Sequence, residues 1–192
     1  MKQKFILAIC IVILLSLCSC TTANKVTDTS EYLQLNSSGF LKLIIFPENF
    51  DNISKINEYY HCTYEGFFNE QAEIYFDVCY DKDEFYEEIE RLESISYKMK
   101  ESHEPKSVIK DEAVLFNYTT YISVFNEAGD FEYVCVDETE YRMVYIALDA
   151  ISDRISIDPK YMPKNYNHMH EGSENYKQYF SYSMYNTNPW DQ

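Results

Sequence analysis

Glu73-Ile74-Tyr75-Phe76-Asp77-Val78-Cys79-Tyr80, running without a break into Asp81-Lys82-Asp83-Glu84-Phe85, is the stretch whose reading decides the fold. In its first half Ile74, Phe76, Val78 and Tyr80 fall on one face and Tyr75, Asp77 and Cys79 on the other, the alternation of a strand. The period changes at Asp81. That residue offers an N-cap, and acids crowd the first turn, where the helix dipole favours negative charge. Phe85, Ile89, Leu92 and Ile95 or Ser96 then recur at helical spacing, while Glu87, Glu88, Glu90 and Arg91 fill the wet face. A strand that feeds directly into an amphipathic helix of about four turns brings two apolar faces together, so a sheet carrying a helix on one side is predicted.

Strand signals continue in both directions. Upstream, Phe40-Leu41-Lys42-Leu43-Ile44-Ile45-Phe46 is an almost wholly apolar run closed by Pro47 and reads as a buried strand; Pro47 to Lys55 reads as a connection. Tyr59 to Glu65 alternates, with Tyr60, Cys62 and Tyr64 sharing one face. Downstream, Val108-Ile109 predicts a short strand and Ala113 to Phe125 a longer one. Asn126 to Asp130 reads as a hairpin loop and Phe131 to Val136 as its partner strand. Tyr141 to Ile151 is strand or helix by period alone, and the hairpin pattern of its neighbours favours strand. The predicted fold class is α+β: a mostly antiparallel β-sheet with one main α-helix packed on one face, in a single domain over residues 39–165.

Composition agrees with a sheet. The chain holds 19 Tyr and 12 Phe but one Trp and four Gly, and Tyr at this density suits half-wet strand faces where the ring packs and the hydroxyl stays hydrated. The face away from the helix is therefore expected to present Tyr75, Asp77 and Cys79, with rings from neighbouring strands, as a contact surface.

The N-terminus carries an address. Met1-Lys2-Gln3-Lys4 is a short basic head, Phe5 to Leu15 an apolar run too short to span a bilayer comfortably, and Ser16 to Cys20 a small-residue exit, the pattern of a secretory signal peptide. Leu17-Cys18-Ser19-Cys20 resembles the lipobox of bacterial lipoproteins. That resemblance implies cleavage after residue 19, a lipid on Cys20, and a location on the outer face of the cell membrane, extracytoplasmic. Cys18 is the poorer candidate, because Leu17 would stand where a small residue is required. Residues 20–38, polar and rich in Thr and Ser, are read as a flexible tether and residues 166–192 as a loosely ordered polar tail. The body, about residues 40–165, is similar to uncharacterised small lipoproteins of Gram-positive gut-type bacteria, through the strand ending in Phe46-Pro47, Glu73-Ile74-Tyr75 before an acidic helix with Glu88-Ile89-Glu90-Arg91-Leu92, and the Tyr-rich meander. That similarity implies a location and a fold and no activity.

Charge narrows the partners. The chain has 16 basic and 32 acidic side chains, a net of −16; loss of residues 1–19 removes two lysines and takes the mature chain to −18. This argues against nucleic acid, whose binders supply cations to replace phosphate counterions. It also argues against adhesion to an anionic membrane surface, leaving the lipid on Cys20 as the membrane link. A protein or envelope partner is compatible with it.

Chemical motifs are sparse. The four glycines are isolated, which excludes a phosphate-cradling loop, and neither G-x-S-x-G nor H-E-x-x-H occurs. Asp81-Lys82-Asp83 departs from a calcium loop at Phe85 and Tyr86. His61 and Cys62 are adjacent on a strand and point to opposite faces, so one cannot activate the other. No catalytic, cofactor-binding or metal-ligating residue is assigned. His168-Met169-His170 has a metal flavour without a rigid frame. Cys62, Cys79 and Cys135 are odd in number, leaving room for at most one bond; Cys62 is placed on a core face and Cys79 on the opposite face, out of reach of each other. The resulting expectation is a membrane-anchored, non-catalytic binding or interaction module. An envelope-acting or extracellular enzyme is the first alternative, and a metal-handling lipoprotein using His168 and His170 the second.

Overall fold

The computed structural model describes residues 22–31, 43–65, 70–98, 108–124, 131–149 and 157–164. Residues 1–19, read above as a signal peptide, Cys20, and the segment with His168 and His170 lie outside the described residues. Eight strands form one sheet: β1 (Thr22–Val26), β2 (Ile53–Glu65), β3 (Glu70–Tyr80), β4 (Ser96–Lys98), β5 (Val108–Glu112), β6 (Thr119–Val124), β7 (Phe131–Asp137) and β8 (Arg142–Asp149). Their order is β1-β2-β3-β8-β7-β6-β5-β4. Every neighbouring pair is antiparallel except β4 with β5. The helix α1 (Lys82–Ile95) follows β3 after a single residue and runs straight into β4. The fold is α+β and mostly β, as predicted, and Arg142–Asp149 is a strand.

The alternation at Ile74–Tyr80 does what its period dictates. Ile74, Phe76, Val78 and Tyr80 meet Phe85 and Leu92 of α1 in one core, joined by Tyr145 of β8, Val134 of β7 and Ile45 and Phe46. Asp81 stands at the helix N-cap without a side-chain cap hydrogen bond, so the acids at Asp83 and Glu84 act on the dipole alone. The opposite face builds a second core from Tyr60, Tyr75, Tyr133, Ile146 and Leu148 against Leu115, Phe116, Ile157, Tyr161 and Met162. Both faces of the sheet are thus buried.

Several expectations are corrected. Residues 43–46 lie in no strand, although Ile45 and Phe46 are buried. The long strand predicted over Ala113 to Phe125 is only β6; residues 113–118 bend across the second core, starting from Ala113 at φ 58°, a left-handed conformation unusual without glycine. The far sheet face is no open Tyr surface: Tyr75 is buried, its ring 5.3 Å from that of Tyr60 at 11° and 6.3 Å from that of Tyr161. Cys62 and Cys79 share that face, because Cys62 pairs with Glu73 and Cys79 pairs with Lys55 on an uninterrupted β3. They are kept apart along the strand, by about 20 Å for six residues, and not by the sheet between them.

The tether expected over 20–38 contains β1. Thr22 to Val26 pairs with Glu65 to His61 as an edge strand, and Lys25 sets its ammonium 3.9 Å from the centre of the Tyr60 ring. An edge strand needs hydrogen bonds on one side only, so polar residues serve, and an edge lysine with a cation–π contact is a usual device.

Candidate functional site

Three successive amides of the segment after Leu43 converge on one side chain. The amides of Ile44, Ile45 and Phe46 all donate to the carboxylate of Glu132 in β7, at 2.9 Å for Ile44 and 3.0 Å for Phe46. Consecutive amides aimed at one point make an anion-binding concavity, and here the anion is the protein's own. Glu132 is fully buried, and burial pushes its carboxyl up from 4.5 to about 7 against the opposing pull of the three amides and of Arg91.

The same segment is gripped from its other side. Arg91 of α1 donates to the carbonyls of Ile44 and Ile45. Its guanidinium also makes a two-pronged pair with Glu88, Nε to Oε2 at 2.7 Å and Nη2 to Oε1 at 2.6 Å. Glu88 accepts the Tyr145 hydroxyl at 2.7 Å, and the Tyr145 and Tyr80 hydroxyls lie 2.9 Å apart. Burial, followed by the charge of Glu88, pushes the Tyr80 phenol well up; burial does the same to Tyr145. These hydroxyls are hydrogen-bonding groups and not acids at neutral pH. Glu88 and Arg91 therefore turn inward, against their assignment to the wet face; the Glu88 side chain is 11% exposed. A polar chain runs from Glu132 through residues 44–46, Arg91, Glu88 and Tyr145 to Tyr80.

Arg91, whose side chain is 34% exposed, is the more solvent-exposed member of its pair with Glu88, and Glu88 and buried Tyr80 lie beside it in the wall of a cleft. The cleft, of about 280 Å³, opens between α1 and the segment after Pro47, lined by Pro47, Glu48, Asn49, Asn52, Ile53, Tyr80, Glu84, Glu87, Glu88 and Arg91. The Glu88–Arg91 pair is internally neutral, so Glu48, Glu84 and Glu87 set the sign of the rim. Pro47 and Ile53 supply the apolar wall.

The Glu132 device has a counterpart on the other face. Asp111 of β5, fully buried, accepts the amides of Val114 at 3.2 Å and of Leu115 and Phe116, each at 3.0 Å. Lys164 donates to the carbonyls of Ala113 at 2.7 Å and Val114 at 3.2 Å. Burial raises the Asp111 carboxyl, with the three amides pulling it back. A third carboxylate, Asp77, takes Arg142 in two hydrogen bonds of 2.8 and 2.6 Å and the Asn57 amide at 3.0 Å. In all three places the ionised groups hold backbone or each other.

Among the described residues no cluster of three or more His, Cys, Asp or Glu is arranged to hold a metal ion. Cys62, Cys79 and Cys135 are free thiols, and burial pushes that of Cys135 up to about 12, which keeps it protonated and unreactive. Sequence reasoning passed over Glu132 and Asp111, yet a signal was there: Glu132 shares its parity with Val134 and Val136, and Asp111 with Ile109, so each acid falls on a core face. No protein family, curated protein or solved structure matches the chain.

Proposed function

We propose that the chain is an extracytoplasmic lipoprotein, anchored to the membrane through a lipid on Cys20, whose domain is a non-catalytic binding module working through the cleft beside α1. The anchoring half of this reading is supported by the basic head, the short apolar run and Leu17-Cys18-Ser19-Cys20. The binding half is supported by one observation above all. The ionisable groups deepest in the cleft, Glu88 and Arg91, are already engaged in holding Tyr145 and the backbone of residues 44 and 45, while its rim carries Glu48, Glu84 and Glu87 beside apolar Pro47 and Ile53. Such a lining favours a ligand segment that brings a cation to the rim and an apolar group to the wall of Pro47 and Ile53.

Two measurements test the halves separately. Cys20→Ser is expected to abolish metabolic fatty-acid labelling; labelling that survives it and is lost with Cys18→Ser moves the anchor, and labelling that survives both refutes lipidation here. For the cleft, a photoreactive residue at Asn52 is crosslinked in cells with and without the Glu84→Lys/Glu87→Lys pair. Loss of a specific adduct in the folded double variant is the expected result, and unchanged capture removes the cleft as the binding site.

A further inference from the structure

The strand β1 begins at Thr22, two residues after Cys20. Two residues of extended chain reach at most about 7 Å. We propose that this short link stands the sheet on end at the bilayer, with the β1–β2–β3 end at the lipid surface and the cleft held out at the opposite end. The inference rests on lipid anchoring at Cys20 and adds to it an orientation and a membrane-facing surface.

The register fixes which end is which. Thr22 pairs with Glu65, and Glu65 pairs with Glu70, so the start of β1, the end of β2 and the start of β3 lie side by side next to the anchor. From there β2 runs 13 residues to Ile53, a length on the order of 40 Å, shortened somewhat by its two irregularities. Ile53 pairs with Tyr80, and both line the cleft. The strand pair β2–β3 is the spacer that a tether would otherwise be, and it is stiffer than one. Its pairing is regular from Glu65 to Glu58, and the two irregularities lie between Glu58 and Ile53, at the cleft end.

Charge decides between standing and lying. A mature chain of net −18 is repelled by an anionic leaflet, and the repulsion acts on whatever comes within a Debye length, about 8 Å at physiological ionic strength. Laying the helix face down brings exposed Glu87 and Glu90 to the surface, and laying the β1 edge down brings exposed Asp28 and Glu31. Standing on the anchored end keeps all four away and brings Glu65 and Glu70, at the ends of β2 and β3, near the surface in their place. The lipid pins one end, and the field pushes the rest outward.

The test uses the lipidated protein in membranes doped with a lipid whose headgroup carries a short-range nitroxide quencher. Cys79→Ser removes the partly exposed thiol, and single cysteines are placed at exposed positions along the axis: Asn24→Cys near the anchor, with Ala23→Cys as its replacement if the first does not fold, then Glu58→Cys and Asp51→Cys. With a maleimide fluorophore, quenching is expected to be strong at Asn24 and lost at Glu58 and Asp51. A long Gly-Ser insert between Thr21 and Thr22 is expected to abolish it at Asn24 as well. With the lipid on Cys20 confirmed by the mass of the N-terminal peptide, equal quenching at Asn24 and Asp51 overturns the upright orientation. Absence of quenching at Asn24, or its persistence after the insert, overturns the short link. An unmodified Cys20 overturns the anchoring reading and this inference with it, and the mass alone distinguishes that failure from the others.

Discussion

Glu132→Gln isolates one buried charge with little change of shape. In the native protein Oε1 accepts the amides of Ile45 and Phe46 and Oε2 accepts that of Ile44. A glutamine keeps one acceptor and sets an NH₂ donor against the third amide, leaving a buried N–H unpaired at a cost of about 1–3 kcal/mol. The substitution also removes an ionisation. Burial raises the Glu132 carboxyl from 4.5 to about 7, so the folded state holds this proton more tightly than the unfolded chain does. The contribution is full below about pH 4.5 and is lost as pH rises through about 7, a total of about 3 kcal/mol at 1.36 kcal/mol per pKa unit. Urea unfolding of both proteins from pH 4 to pH 8 reads the effect, since other titrating groups cancel in the difference. Wild type is expected to lose about 3 kcal/mol relative to Glu132→Gln across that range. Near pH 8 the two stabilities converge or cross, because the buried anion by then costs wild type about what the unpaired amide costs the variant. A difference that stays constant with pH refutes the reasoning: Glu132 would then titrate alike in both states.

Two further outcomes bear on the fold. Leu92→Ala empties a fully buried site on the inner face of α1 and is expected to lower stability by about 2–5 kcal/mol, measured by denaturant unfolding; a change near zero would place that face outside the core. Peptide mapping without reductant is expected to find no Cys62–Cys79 crosslink, because the register offsets the two residues along β3, and finding it would overturn that register.

How far the sequence could be read depended on whether a residue's period or its partner decides its structure. At Ile74–Tyr80 and Phe85–Leu92 the period decides, and the strand, the helix and the core between them follow. At Thr22–Val26 nothing in TANKV has a strand period; the edge of β2 supplies the hydrogen bonds and the Tyr60 ring supplies the seat for Lys25. The candidate site was legible only in part. Tyr80, Glu84 and Glu87 could be placed near the strand–helix junction, but Glu88 and Arg91 sat within a run of charge that reads as solvated. Their inward turn follows from carbonyls 46 and 47 residues away in sequence, which no local pattern reports.

The two apolar runs misread as strands share a cause. Residues 43–46 and 113–118 are apolar because they cover the two faces of the sheet, and burial leaves the same mark on a covering segment as on a strand. The difference lies in the backbone. A strand in a sheet finds partners for its amides and carbonyls in its neighbours, whereas a covering segment buries them without a ladder and must be supplied from side chains. Glu132 with Arg91, and Asp111 with Lys164, do this in the same way: a carboxylate gathers three amides, and a cation takes carbonyls of the same segment. Among the described residues the one long helix, α1, covers one face of the sheet only. Irregular chain covers part of the remainder among the described residues, and Glu132 and Asp111 stand where two such segments need an acceptor. An acid at a core parity position therefore signals a buried need for a partner, which a covering segment meets at Glu132 and Asp111 and the Arg142 guanidinium meets at Asp77.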